Sequence, residues 1–318
     1  LRHAGHAPLG SMASGRMCNQ LLAMGAPGFP EPDPAAEPDW EPTPPEVVDA
    51  LKVAYNGQEV WIGVPLSATQ DEETQACSAG TCLTYGEIHQ DGLTKLLGPR
   101  GLDIEKRGAR CLLELGSGRG RLAIQAFLQF PRLHTVLGIE LVGLRHSAAV
   151  AAARRLHEST VDRFTLEELS RGRDCETGEA DSRPDVAPVR ILEELGDSHR
   201  RCELRQEDLL ELPDEDLAAA DAILLEVVMP PGPCVREAHS RLCSRLAANC
   251  RHGCVLAAYE DLHTIWRSLP SGAPECPFHK LTLCDGGFAT SWSPVGHHFH
   301  GFECDRERPP SLEPGTWL

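Results

Sequence analysis

The stretch "CLLELGSGRGRLAIQ", residues 111–125, decides the fold. Its first five residues, 111–115, form a short apolar run bounded by glycine, which is how a buried strand reads. Gly116, Gly118 and Gly120 follow at alternate positions, and residues 118–129 carry apolar side chains at helical spacing. A strand that passes through such a turn into a helix leaves free backbone N–H groups and a helix N-terminus beside whatever lies there.

Outward from that stretch the alternation continues. "TVLGIE" (135–140) is followed by a helix over 143–157, and "CELRQ" (202–206) comes before "AILLEVV" (222–228). A helix over 234–248, "GCVLAA" (253–258) and a short helix near 260–268 come next. The chain then closes with "HKLTLC" (279–284) and "GHHFHGFEC" (296–304). Five strands separated by helices, then two joined by a hairpin-sized loop, predict an α/β, Rossmann-like sheet of seven strands whose last strand is antiparallel.

The rest of the chain divides by composition. Residues 1–45 are Pro-rich, and "EPDPAAEPDWEPTPPE" (31–46) carries six acids and no base, so 1–45 reads as a disordered acidic tail. Residues 46–110 read as a helical N-terminal region, starting at "EVVDALKVAYNG". The main domain spans 111–305, with 158–200, which holds twelve acids and six arginines, as a mobile surface insertion. Residues 306–318 read as a C-terminal tail. A net charge of −17 disfavours nucleic-acid binding through a wholly basic surface and would attract basic proteins. Thirteen scattered cysteines without a Cys-x-x-Cys pair read as free thiols of a reducing compartment, nuclear or cytoplasmic. No apolar run approaches the ~18 residues of a membrane span.

Acids mark the strand ends. Glu114 sits at the end of the first strand, Glu140 ends the second 20 residues after Gly120, and Asp208 follows the third with Leu209 beside it. A carboxylate in the position of Glu140 accepts both hydroxyls of a ribose, and Asp208 can accept from an exocyclic adenine amine. A dinucleotide fingerprint wants a small residue where this chain has Arg121. The alternative is the Glu-x-Gly-x-Gly-x-Gly loop of enzymes that use S-adenosylmethionine, in which Glu114, directly or through water, meets the cationic methionine end. Glu140 and Asp208 also have a plainer reading as loop or helix caps.

Upstream, "LTYGEIHQDGLTKLL" (83–97) places a Tyr-Gly-Glu turn before a helix. Together with "LELGSGRGRLAIQ", "GIE", "EDL" and the C-terminal "SWSPVGHHFH" (291–300), it resembles the disruptor-of-telomeric-silencing type of histone lysine methyltransferase, over about 83–305 without the insertion. The resemblance implies a class I methyltransferase sheet and S-adenosylmethionine as cofactor. It assigns cofactor contacts to Tyr85, Gly86, Glu87 and Ile88, to Glu114, Gly116, Ser117, Gly118, Gly120 and Arg121, and to Glu140, Asp208 and Leu209. It also implies a basic protein substrate, histone or nucleosome, and a nuclear location. Trp292 corresponds to a tryptophan near the family's lysine channel.

The acceptor side departs from that pattern. The family's Asn-Asn-Phe after the fourth strand is Glu226, Val227 and Val228 here, a Ser-Ser pair is Ala257 and Ala258, and paired tyrosines are His297 and His298. Tyr85, Glu226, Trp292 and His298 are the candidates for acting on the acceptor, Glu226 by orienting it or taking its proton. Alternation puts His298 and His300 on one strand face with His297 opposite. No second pair of ligands accompanies these histidines, so no metal site is read there. A methyltransferase acting on a non-histone basic protein or a small amine, and a cofactor-binding pseudoenzyme scaffold, are the competing readings.

Overall fold

The computed structural model describes residues 41–57, 86–169, 187–195, 198–226, 233–283, 287–291 and 296–307. Its strands are β1 (Cys111–Leu115), β2 (Thr135–Glu140), β3 (Phe164–Glu168), β4 (Val189–Leu195), β5 (Ser198–Gln206), β6 (Ala222–Leu225), β7 (Val255–Ala258), β8 (Phe278–Leu281) and β9 (His300–Cys304). The helices are α1 (Pro45–Ala54), α2 (Gln90–Leu97), α3 (Arg121–Gln129), α4 (Gly143–Ser159), α5 (Asp214–Ala219), α6 (Pro233–Asn249) and α7 (Leu262–Arg267).

All nine strands form one sheet in the order β3-β4-β5-β2-β1-β6-β7-β9-β8. The five strands from β5 to β7 are parallel, and β9 runs antiparallel between β7 and β8. The Rossmann-like sheet expected from the alternation is present. From β1 the chain winds to β2 and β5 on one side, then returns to β6 and β7 on the other, so the winding reverses between β1 and β6. A crevice opens at such a reversal, outside the carboxyl ends of the strands.

Two expectations need correction. The sheet has nine strands, because the ends of the supposed insertion form β3 and β4, an antiparallel extension on the outer edge of β5. Phe164, Val189 and Ile191 supply a buried face, while Glu167 and Arg190 decorate the other side; the high charge density hid this alternation. Residues 170–186 lie outside the described residues. The acidic tail also ends earlier than expected: Thr43 is buried, and its N–H and hydroxyl both donate to Asp91 Oδ1, at 3.1 and 2.8 Å. Residues 1–40 lie outside the described residues.

An apolar core lies on each face of the sheet. On one, Leu112, Val136, Leu204 and Leu224 pack against Phe127, Ala149, Ala153 and Leu156 of α3 and α4, with Leu51 of α1 and Leu93 of α2. On the other, Leu113, Ile223 and Leu256 meet Leu242 and Leu246 of α6 and Trp266 of α7. Burying leucine side chains of this kind stabilises the fold by about 1.5–3 kcal/mol each. The N-terminal helical region shares the first core, and Arg155 of α4 donates to Ala54 O at 2.7 Å to hold the end of α1. Arg306, expected to begin a loose tail, donates to Ala247 O and Cys250 O at 2.8 Å and so satisfies carbonyls at the end of α6. Seven cysteines are free among those whose side chains are described, and six of these are buried, as the scattered pattern suggested. Among the described residues no helix is long and apolar enough to cross a membrane.

Candidate functional site

The glycine turn is built as its spacing implies. Gly116, Gly118 and Gly120 have φ of 91°, 54° and 70°, in the left-handed region that a side chain disfavours. Left-handed Gly118 and Gly120 also explain why α3 starts at Arg121 rather than at 118. The N–H groups of Gly116 and Ser117 both donate to Ile139 O, at 2.9 and 2.8 Å, which draws the turn over the end of β2. There Glu140, buried, accepts from Gly118 N–H at 2.7 Å and from Val142 N–H at 2.8 Å. Burial pushes the Glu140 carboxyl above the usual range, against the opposing pull of Arg145 and of the Val142, Gly118 and Leu141 amides.

Register brings further acids to the same face. Glu114 pairs with Gly138 of β2 and with Leu224 of β6. Period-two alternation therefore sets Glu114, Glu140 and Glu226 on one side of the sheet, at adjacent strand ends across the winding reversal. Glu226 continues the ladder, its N–H donating to Leu115 O at 3.0 Å. Glu114 is 1% exposed, yet its Oε2 has no hydrogen-bond partner among the described residues, and the same holds for Oε1 of Glu226. Burial, then the Glu226 charge, pushes the Glu114 carboxyl well up, while the Ala123 N–H pulls it back. Burial and then Glu87 push the Glu226 carboxyl up to about 8. Buried acceptors left open at a strand-end crevice suit a ligand that carries positive charge and N–H donors.

The Tyr-Gly-Glu segment meets the glycine turn through Glu87 and two residues not singled out in the sequence, Arg119 and Tyr55. Glu87 and Arg119, both buried, form a two-pronged ion pair with Nε–Oε1 at 2.7 Å and Nη2–Oε2 at 2.8 Å. Tyr55 donates from its hydroxyl to Arg119 O at 2.9 Å, and the guanidinium groups of Arg119 and Arg121 lie 5.2 and 5.3 Å from its ring centre. Glu87 is also tied to the C-terminal part of the chain: Ser291 N–H donates to Glu87 O at 2.7 Å, and Glu87 N–H donates to Ser291 Oγ at 3.0 Å. Ile88, carried over as a cofactor contact, is a core residue whose backbone bridges Thr290.

Other predicted residues stand as follows. Ser117 is buried in the turn. Asp208 accepts from Leu210 N–H at 2.9 Å, a turn-closing role, and Leu209 packs on the second core. Ala257 and Ala258 are buried in β7. His298 is exposed, and β9 begins only at His300, so the regular alternation drawn through 298 does not extend that far. His297 instead stacks on Tyr259, which follows β7, with ring centres 4.4 Å apart and planes 8° apart, and Phe299 stands edge-on to both. Burial holds the His297 imidazole down at about 4, with His298 and His300 adding to the effect, so it is neutral at physiological pH. Tyr85, Trp292, Val227 and Val228 lie outside the described residues. Tyr55, Arg119 and Tyr259 were missed because each gains its meaning from a partner distant in sequence.

No family model and no curated protein matches the sequence. Among solved structures, the chain is similar to TrmN from Thermus thermophilus, with 14% identity, a TM-score of 0.39 and coverage of 73% of this chain but only 53% of that one. It is also similar to an O-methyltransferase from Bacillus cereus in complex with SAH, at 12% identity and TM-score 0.37, covering 82% and 90% of the two chains. A third similar structure is human N-acetylserotonin methyltransferase in complex with SAM, at 13% identity and TM-score 0.32, with 81% and 64% covered.

Proposed function

We propose that the chain is an S-adenosylmethionine-dependent methyltransferase whose acceptor is a lysine amine of a basic protein, foremost a histone, in the nucleus. The observation that carries the cofactor assignment is the buried, unpartnered Glu114 Oε2 at the end of β1, beside three left-handed glycines and facing Glu140 and Glu226. Glu140 fits the ribose part of such a cofactor, and the acids left open among the described residues fit its positive methionine part. The cofactor supplies a methyl group already activated on a sulfonium.

The chain's task is then chiefly to hold a neutral amine in line and to remove its proton. Glu226 suits the second part, because a carboxyl raised to about 8 exchanges protons in the range where enzymes work. Buried Ala257, on the same sheet face by its register with Leu224, favours the uncharged amine over ammonium. The neutral Tyr259–His297 stack adds a flat wall that does not repel a cation on its way in. A net charge of −17 supports a basic protein as partner.

Methyl-labelled cofactor, offered with histone octamers, nucleosomes, a mixed protein extract and a panel of small amines, tests the reading. Label in a histone band, weakened by added salt, is the expected result. Turnover of a small amine with no labelled protein would transfer the assignment to small-molecule methylation. Cofactor binding without any turnover would make the chain a cofactor-binding scaffold.

A further inference from the structure

Glu114 and Glu226 stand out because the fold places two carboxyls on the same sheet face at the ends of hydrogen-bonded neighbouring strands and leaves one oxygen of each open. The groups around them come from several elements. Glu140 approaches from the end of β2, Glu87 from the segment before α2, Tyr55 from the end of α1 and Cys202 from β5. Of the two arginines nearby, Arg119 is bound in two places to Glu87 and Arg121 lies against the Tyr55 ring. Two ionised carboxylates in this setting repel each other, and burial denies them the solvation that would offset the repulsion.

We propose that Glu226, beside Glu114 on the same sheet face, stays protonated until a cation enters the crevice, and that entry of the sulfonium cofactor expels this proton, leaving Glu226 ionised to receive the proton of the acceptor amine. The inference rests on the cofactor reading above and adds an order of events to it. Before cofactor entry the carboxyl is protonated and cannot act as a base. With the cofactor bound, one proton has left to solvent, the sulfonium charge lies against the new carboxylate, and an arriving ammonium meets a base ready to accept. After methyl transfer the sulfonium becomes an uncharged thioether, and the proton taken from the acceptor stays on Glu226, so the crevice returns to its first state with no further proton from solvent. Both compounds keep the methionine ammonium, so Glu226 distinguishes cofactor from product by the sulfonium charge.

Calorimetric titration of the whole chain with S-adenosylmethionine and, separately, with S-adenosylhomocysteine reads the proton directly when repeated at pH 7 in phosphate and in Tris, whose ionisation enthalpies differ. With Glu226 near 8, about 0.9 proton should be released on binding the sulfonium compound, and far less on binding the thioether. Glu226→Gln should abolish the difference. A measurement on the unaltered protein guards against a misfolded variant: the ratio of the two affinities should move towards the sulfonium compound by up to ~10-fold per pH unit between pH 6 and 8. Equal proton release for the two compounds, or a ratio flat with pH, overturns the inference while leaving the cofactor reading intact. Failure of both compounds to bind removes the cofactor reading and the inference with it.

Discussion

Replacing Arg119 with methionine isolates the ion pair that joins the glycine turn to the segment at Glu87. Both side chains are at most 5% exposed, and the two bonds of 2.7 and 2.8 Å satisfy both carboxylate oxygens. Removing the guanidinium leaves Glu87 buried with its charge uncompensated, which typically costs about 3–5 kcal/mol. The lost contact with the Tyr55 ring adds about 0.5–1 kcal/mol. A net loss of about 4–6 kcal/mol corresponds to roughly 8–24 °C in Tm at ~2–4 °C per kcal/mol for a domain of this size. Urea unfolding should therefore show a much lower midpoint for Arg119→Met. The double variant Glu87→Gln, Arg119→Met removes both charges and should recover about 2–3 kcal/mol of that loss. Amide exchange at Ser291 should accelerate in the single variant, because its N–H is held by Glu87 O. A single variant within ~1 kcal/mol of the parent, or no recovery in the double, would refute the reasoning, since a pair that solvent can reach is worth no more than that.

Other expected outcomes follow from the same site. Gly120→Ala should destabilise by about 2–5 kcal/mol in urea, from left-handed strain and overpacking, since its Cβ would lie 3.0 Å from Ala149 Cβ and 3.2 Å from two Leu204 methyls; a loss below ~1 kcal/mol would show that the turn relaxes. Glu140→Ala strands the Gly118 and Val142 N–H groups and should both lower Tm and weaken S-adenosylmethionine binding by more than ~10-fold, checked by calorimetry. Glu226 has its carboxyl raised from 4.5 to about 8, so the stability it contributes is complete below 4.5 and is lost as pH rises through 8. Glu226→Gln should therefore gain in Tm relative to the parent as pH goes from 5 to 9, and a constant difference would count against the raised carboxyl.

Much of the sheet was legible because its central strands are apolar runs closed by glycine, acid or turn residues: β1 and β2 fall at 111–115 and 135–140, where the pattern put them. The edge was not legible. In β3 and β4 the apolar residues lie on one face, where Glu168 and Glu193 interrupt them, and with Glu167 and Arg190 on the other face the segment read as solvent-exposed chain. In the site, the glycines and the strand-end acids announced themselves by spacing. Arg119 did not, since between two glycines it reads as an arbitrary loop residue, and its partner lies 32 residues earlier. Alternation set His297 and His298 on opposite faces but could not say which ring is held, because the residues before His300 are not in a regular strand and Tyr259 decides it.

The bonds between Glu87 and Ser291 span 204 residues of chain, with Ile88 and Thr290 bridging beside them. A ribosome adding about 5–20 residues per second takes about 10–40 s to cover that distance. For most of this interval β1, β2 and the glycine turn are already made and free to pair, while the segment that carries Glu87 waits for its C-terminal anchor. The last contacts to close are those around the crevice, so a chain interrupted late in synthesis would hold most of its parallel sheet and lack a finished site. Competence to bind a ligand there thus reports that translation has run to the end of the domain.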